Sequence, residues 1–192
     1  KKRAAHGVPP RIEAAERDLL FLRQISNDLE QAEERPEIDA VRSSLEAAGL
    51  IKKKRKRTRN SPIRGPRRVL LDEWMVLVGR NSKQNDDVTF RHGGANDLWF
   101  HARGVPGSHV ILKSAGREVP QEIIEQAASL AAYYSKARGN NRAEVIMTER
   151  KHVRRVPGGH PGLVTCRNDS TVHVKPMSVE EVETALASSI NC

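Results

Sequence analysis

The sequence is short of aromatic residues, of cysteine and of long apolar runs. Phe, Trp and Tyr make up only 4% of its 192 residues, which argues against serial stacking of bases along a single nucleic-acid strand. Its two cysteines, Cys166 and Cys192, stand apart with no metal-binding or redox spacing. Cys166 sits in an apolar run and is expected to be a buried thiol in a reducing compartment. No stretch approaches the ~20 apolar residues that a membrane helix needs, so no membrane partner is expected. The opening residues are charged and carry no secretory signal. The chain begins Lys1-Lys2 rather than with methionine, and is expected to be a piece of a longer or processed protein.

Acid is missing from one place in particular. Between Lys52 and Arg68 stand ten Lys or Arg residues and no Asp or Glu. A run carrying +10 against a total of +9 leaves the remainder at −1, so the basic character belongs to a linker. Its six consecutive cations, Lys52, Lys53, Lys54, Arg55, Lys56 and Arg57, repel one another and cannot pack. A solvated spacer and a nuclear-import signal share this pattern. Without balancing acid, contact with a polyanion is the favoured expectation.

Taken in order, the chain first shows Ile12, Ala15, Leu19, Leu22, Ile25, Leu29 and Ala32 at spacings of three and four between Arg11 and Arg35. This narrow stripe predicts an amphipathic helix of the coiled-coil kind whose partner arm is absent, or else a helix lying on the rest of the chain. Pro36 suits the start of a second helix and Gly49 its end, with Ile38, Val41 and Leu45 along one face. Beyond the linker, Trp74 to Arg80 alternates as a strand. NSKQNDD follows as turn and capping residues, in which Asn81, Asn85 and Asp86 are suited to bonding local backbone amides. Pro120 opens a helix to Arg138 with the inward stripe Ile123, Ala127, Leu130, Ala131 and Tyr134. Strands are predicted over Glu144–Glu149, Val153–Val156, Leu163–Arg167 and Thr171–Lys175, and a short acidic helix over Ser178–Ser188.

The densest chemistry lies between Asn96 and Leu112. Two alternating runs, Leu98–Arg103 and His109–Lys113, flank the turn residues Gly104, Pro106, Gly107 and Ser108, which predicts a hairpin. With a five-residue loop, Arg103 pairs with His109, and Trp99, His101 and Arg103 share a face with His109, Ile111 and Lys113. His101 and His109 with Asp97 or His92 suggest a zinc site or a general base. No third ligand at helical spacing and no activated nucleophile accompanies them, so hydrogen-bonded structure or phosphate contact is preferred to catalysis. The loop PGGHPG opens no helix and is not a nucleotide-binding loop of the known kinds. Seven cations against two acids between Lys136 and Arg155 make a second basic patch.

Four blocks in matching order, VGRNSKQNDDVTF (Val78–Phe90), DLWFHARGVPGSHV (from Asp97), AASLAAYYSKAR (Ala127–Arg138) and PGGHPGLVTCRNDSTVHVKP (Pro157–Pro176), resemble the NFACT-R domain of the NFACT family, ribosome quality-control factors of the RqcH/NEMF type. The resemblance implies an α+β domain, with a mostly antiparallel sheet packed on one main helix and a coiled-coil helical segment before it. The organisation expected is a helical segment over 1–51, a basic linker over 52–68, the domain over 69–178 and a C-terminal helix and tail over 179–192. The family engages stalled large ribosomal subunits carrying peptidyl-tRNA and recruits tRNA to extend the nascent chain. Its tRNA-recruiting N-terminal domain is not visible in this sequence, so the chain is expected to bind without elongating. It is then no enzyme and needs no metal or cofactor. Its partners are the large subunit, rRNA, tRNA and a coiled-coil helix, in the cytoplasm. RNA contacts are expected from the six linker cations, Asn81, Asn85, Asp97, Trp99, His101, Arg103, Ser108, His109, Lys136, Arg138, Arg154 and Arg155. Alternatives are a stand-alone NFACT-R-type DNA-binding protein and, further off, a histidine-based hydrolase or metal site at the hairpin.

Overall fold

The computed structural model describes residues 2–53 and 65–189; Lys54, Arg55, Lys56 and Arg57 of the basic run lie outside the described residues. Two helices come first, α1 (Lys2–Glu30) and α2 (Arg35–Ala47). Phe21 and Ile25 of α1 bury against Val41 of α2, with Leu45 at the edge. The predicted stripe is divided between two environments. Ile25 is inside, whereas Ile12, Leu19, Leu22 and Leu29 are each at least 43% exposed. Among the described residues, no helix lies along that open stripe.

Strands β1 (Arg67–Leu71), β2 (Trp74–Val78), β3 (Leu98–Ala102), β4 (Val110–Leu112), β5 (Ala143–Glu149) and β8 (Ser170–Val174) form one antiparallel sheet in the order β1-β2-β4-β3-β5-β8. Strands β6 (Val153–Arg155) and β7 (Val164–Cys166) form a separate two-stranded ribbon. Side chains alternate across each strand, and here both faces of the central strands are covered. On one face Val76, Val78, Phe100, Val110, Leu112 and Val145 meet helix α4 (Gln121–Tyr133). The α4 stripe of Ile123, Ala127, Leu130 and Ala131 is buried, as predicted; its alanines let the helix approach closely. Each large side chain enclosed there contributes about 1.5–3 kcal/mol. Helix α5 (Val179–Ser189) joins the same layer through Val182, which is wholly buried. On the other face Leu77, Trp99 and Ile111 meet Val88 and Val153. The roof over them is α3 (Ser82–Asp87), a π-helical turn (Val88–His92) and the β6–β7 ribbon. The molecule is α+β with a mainly antiparallel sheet.

The structure corrects three expectations. Helix α4 stops at Tyr133, not Arg138, because the Ser135 hydroxyl takes over the helix end: it donates to the Ala132 carbonyl at 2.6 Å and accepts from the Ala137 amide at 3.0 Å. Arg67 and Arg68, read as linker, open β1 instead. The Arg67 guanidinium lies 4.4 Å above the Tyr134 ring and 3.1 Å from the Glu33 carboxylate, which draws the chain into the sheet. The NSKQNDD segment, expected as turn and capping residues, forms helix α3, and Asn81 caps it as expected, its side chain accepting from the Gln84 amide.

Helix α1 is fastened to the body by polar contacts. The Gln24 side chain exchanges two hydrogen bonds with the backbone of Gly107, both 3.0 Å. Asp28 accepts from the Ser82 amide and hydroxyl, each at 2.8 Å. The His160 ring stacks on Phe21 with centroids 4.0 Å apart and bonds Asp18 at 2.9 Å. Burial pushes the Asp28 carboxyl up from 3.8 to about 6, against the opposing hydrogen bonds from Gln24 and Ser82. Its folded pKa therefore exceeds its unfolded one. The stability it contributes is full below pH ~4 and is lost as the pH rises towards 6. Asp28→Asn removes this dependence. Between pH 4 and pH 7 the stability of the wild type relative to the variant should fall by on the order of 2–3 kcal/mol, measured by urea unfolding at both values; a flat difference would show an ordinary carboxyl.

Candidate nucleic-acid interface

The hairpin is real, with a register two residues from the expected one. Trp99 pairs with Ile111 and Phe100 with Val110, so His101 stands opposite His109 rather than diagonal to it. Arg103 does not pair with His109. Its amide donates to the Glu144 carbonyl at 2.8 Å, and its guanidinium reaches Asp169 at 2.6 Å and Thr171 at 2.9 Å. The turn is drawn towards the end of α4, where the Ser108 amide bonds the Tyr134 carbonyl. A Cβ on Gly107 would stand 2.6 Å from that of Ser135, so this close approach requires glycine.

Trp99 and His109 lie in the interior, not on the open surface expected, while His101 is half-buried. Trp99 is 1% and His109 2% exposed. The Trp99 indole donates to the Thr89 hydroxyl at 3.2 Å, and Thr89 lies 2.8 Å from His109 Nδ1. An indole only donates, so the Thr89 hydroxyl accepts from Trp99 and links it to His109. The carbonyls of Asn85 and Gly162 also face that ring. Burial, with His101 beside it, holds His109 well below the ordinary histidine range, and burial brings His101 down to about 4. Both imidazoles are thus neutral at pH 7. Their rings meet edge-to-face at 5.3 Å, and His101 stacks along Trp99 at 5.7 Å. Among the described residues, no group of three or more His, Cys, Asp and Glu side chains is placed to hold a metal.

The other expected residues around this face hold it together. Asn85 is 1% exposed. It donates to the Gly107 carbonyl at 3.1 Å and accepts from the His109 amide at 3.0 Å. Buried Ser108 donates to the Gly79 carbonyl at 2.6 Å. Asp97 gathers the Gly94 amide (2.7 Å), the Ala115 amide (2.9 Å) and the Lys113 ammonium. Burial raises its carboxyl, but Lys113 and the two amides outweigh burial and leave it lowered. Asn81, Asn85, Asp97, Ser108 and His109 are therefore committed to internal bonds, which leaves them no surface for direct contact with RNA. Lys136 pairs with Glu30, and Arg138 lies 4.0 Å over the Tyr133 ring; both are exposed, as are Lys52 and Lys53. Thr89 carries no local signal in the sequence, since its partners lie ten and twenty residues away.

Exposed charge gathers on the β6–β7 ribbon. Val153 pairs with Cys166 and Arg154 with Thr165. Val153 is buried, and Val164 and Cys166 pack beside it. Arg154, Arg155, Thr165 and Arg167 are left on the outside. With Lys151, His152, Pro157 and Asn168 they line a groove of about 660 Å³. Three of its cations already have partners: Arg154 donates to the Lys151 and Val153 carbonyls at 2.6 and 3.1 Å, and two others form ion pairs. Arg155 makes a two-pronged pair with Asp86, 2.7 Å at each prong, and Lys151 meets Glu149 at 2.7 Å. This groove joins the expected Arg154 and Arg155 to Lys151 and Arg167, which sequence reasoning did not single out.

Residues 69–181 match the model of the NFACT protein RNA binding domain. The chain is 37% identical over 177 residues to the Rqc2 homolog RqcH of Streptococcus suis, and 30% identical over 175 residues to that of Bacillus subtilis. These matches cover 91% and 88% of this chain but 32% and 30% of the relatives, so the chain spans about a third of their length. In three dimensions it is similar to the C-terminal part of the fibronectin/fibrinogen-binding protein of S. suis. That match has a TM-score of 0.86 and 35% identity, and covers 95% of this chain and 73% of the other.

Proposed function

The chain belongs to the NFACT family, and from that membership we propose that it is the RNA-contacting end of a ribosome quality-control factor, engaging stalled large subunits that carry peptidyl-tRNA and supporting C-terminal tailing of the nascent chain. The observation that carries this reading is the basic groove of Lys151, Arg154, Arg155 and Arg167 on the outer face of the ribbon. Such a surface grips phosphates and leaves selectivity to the shape of a folded RNA. The chain acts by binding, with no catalytic residue or cofactor of its own, among ribosomes in the cytoplasm. Its partners are rRNA and tRNA on the large subunit. The open stripe of Ile12, Leu19, Leu22 and Leu29 supports a further partner, a helix completing a coiled coil.

Sedimentation with purified large subunits tests this reading. The chain should travel with subunits bearing peptidyl-tRNA, and added tRNA should compete better than a DNA duplex of equal charge. Equal competition by both would favour a general nucleic-acid binder. The linker is tested separately, by changing Lys52, Lys53, Lys54, Arg55, Lys56 and Arg57 to Ser and Gln. Each phosphate contact adds ~0.7–0.9 to the slope of log affinity against log salt, so the slope should fall by up to about five units. An unchanged slope would make the run a spacer.

A further inference from the structure

Between the sheet, the inner side of the ribbon and helix α1 lies a cavity of about 280 Å³. We propose that this cavity receives one unpaired nucleobase of the bound RNA, turned out of its strand and enclosed between the Trp99–His101 floor, the ribbon and α1. The inference rests on the RNA-binding reading above and adds a specific pocket to it.

Size comes first. The volume falls just below the ~300–1,000 Å³ of pockets for drug-sized ligands, which suits a single base better than a whole nucleotide with its phosphates. The walls agree. Leu20, Phe21, Ile146, Leu163 and Val164 line the space, giving apolar surface for the two faces of a flat ring. Of the polar groups lining it, His101 is a neutral imidazole, Gln24 spends its amide on Gly107 and Asp28, and the His160 ring is bonded to Asp18. An anionic phosphate finds no cation within. One stands at the rim, the exposed Arg23, where the backbone of an extruded nucleotide would remain. RNA is commonly read through such unstacked loop bases, set against aromatic or histidine rings.

The cavity is built, not incidental. Gly162, with φ +83°, brings its loop so close to α3 that a Cβ would stand 2.9 Å from the Ser82 carbonyl. The same loop carries His160, whose stack on Phe21 holds α1 in place as the far wall. Its lining is mainly apolar, so the pocket should accept any base and hold purines most tightly.

The test compares two stem-loop RNAs that differ only in one unpaired loop nucleotide, intact in one and abasic in the other. Both carry the same phosphates, so the groove contributes equally to each. By fluorescence anisotropy at fixed salt, the intact RNA should bind roughly 5- to 150-fold more tightly, the range that one stacked base supplies. Val164→Phe, which fills the cavity from the ribbon, should abolish this preference. So should Leu20→Trp, which fills it from a half-exposed helical position that the fold does not depend on. Equal binding of both RNAs to the wild type would overturn the pocket and leave the RNA-binding reading standing. A preference that survives in both variants would also overturn it, since the base would be held elsewhere. Failure to bind either RNA would remove the RNA-binding reading and the pocket together.

Discussion

Changing Lys151, Arg154, Arg155 and Arg167 together to glutamine should lower the affinity for structured RNA by roughly a hundredfold near 0.1 M salt. Four phosphate contacts correspond to a salt slope of about three units, or about a thousandfold at that ionic strength. Part of this is offset in the wild type, because Arg155 must leave Asp86 and Lys151 must leave Glu149 to meet phosphate. Exposed pairs of this kind are worth up to ~1 kcal/mol each, which removes about one of the three decades. Stability should hardly change, since the groove lies outside both cores. A salt titration of wild type and variant checks both figures. If the slope is the same in the two proteins, the groove faces solvent in the complex and the RNA lies elsewhere.

Asn85→Leu should lower the melting temperature by about 6–12 °C. The substitution keeps the approximate volume but strands the buried His109 amide and takes from the Gly107 carbonyl one of its two donors, leaving it Gln24. The unpaired amide costs ~1–3 kcal/mol and the single lost hydrogen bond ~1 kcal/mol, together about 3 kcal/mol. For a chain of this size each kcal/mol shifts the midpoint by ~2–4 °C. There is no slack nearby to relieve the strain. A Cβ on Gly79 would already lie 2.2 Å from the Asn85 oxygen, so the branched side chain meets backbone where the amide now fits. Asn85→Asp is a useful companion. It can still accept from the His109 amide but not donate to Gly107, and should fall between the wild type and Leu. A melting temperature within a few degrees of wild type for Leu would mean that water replaces the lost partners.

The strands of this fold are legible because alternation marks them, and α4 because its apolar residues recur at helical spacing. Alternation does not say how many faces are covered. Phe100 and Val110 face α4 while Trp99 and Ile111 face the roof, and an apolar-polar pattern that includes histidines looks half-exposed when it is not. Helix α3 escapes notice for another reason. Its six residues, SKQNDD, are all polar and too few to show a period. Strand β1 begins on two arginines that continue a charge run, and only tertiary partners, Tyr134 and Glu33, separate them from it. The groove has the same character. Arg154 and Arg167 are thirteen positions apart and become neighbours only when Val153 pairs with Cys166. The cavity is still less visible from the sequence, being bounded by three elements remote along the chain.

The fastening of α1 also sets an order of events during synthesis. Gln24 waits for a partner 83 residues further on, and Asp18 for one 142 residues further on. At about 5–20 residues per second, the second wait lasts roughly 7–28 s. Until Ser82 and Gly107 are made, α2 is the element of the described residues on which the helix can lie, and its Val41 covers Phe21 and Ile25 almost at once. Among the described residues the helical hairpin is thus the first unit able to form, and its seating on the body is completed last, by His160. The nascent chain therefore passes through a stage in which a folded arm and a nearly complete sheet are joined only through Ser82 and Gly107, and the PGGHPG loop completes the fastening.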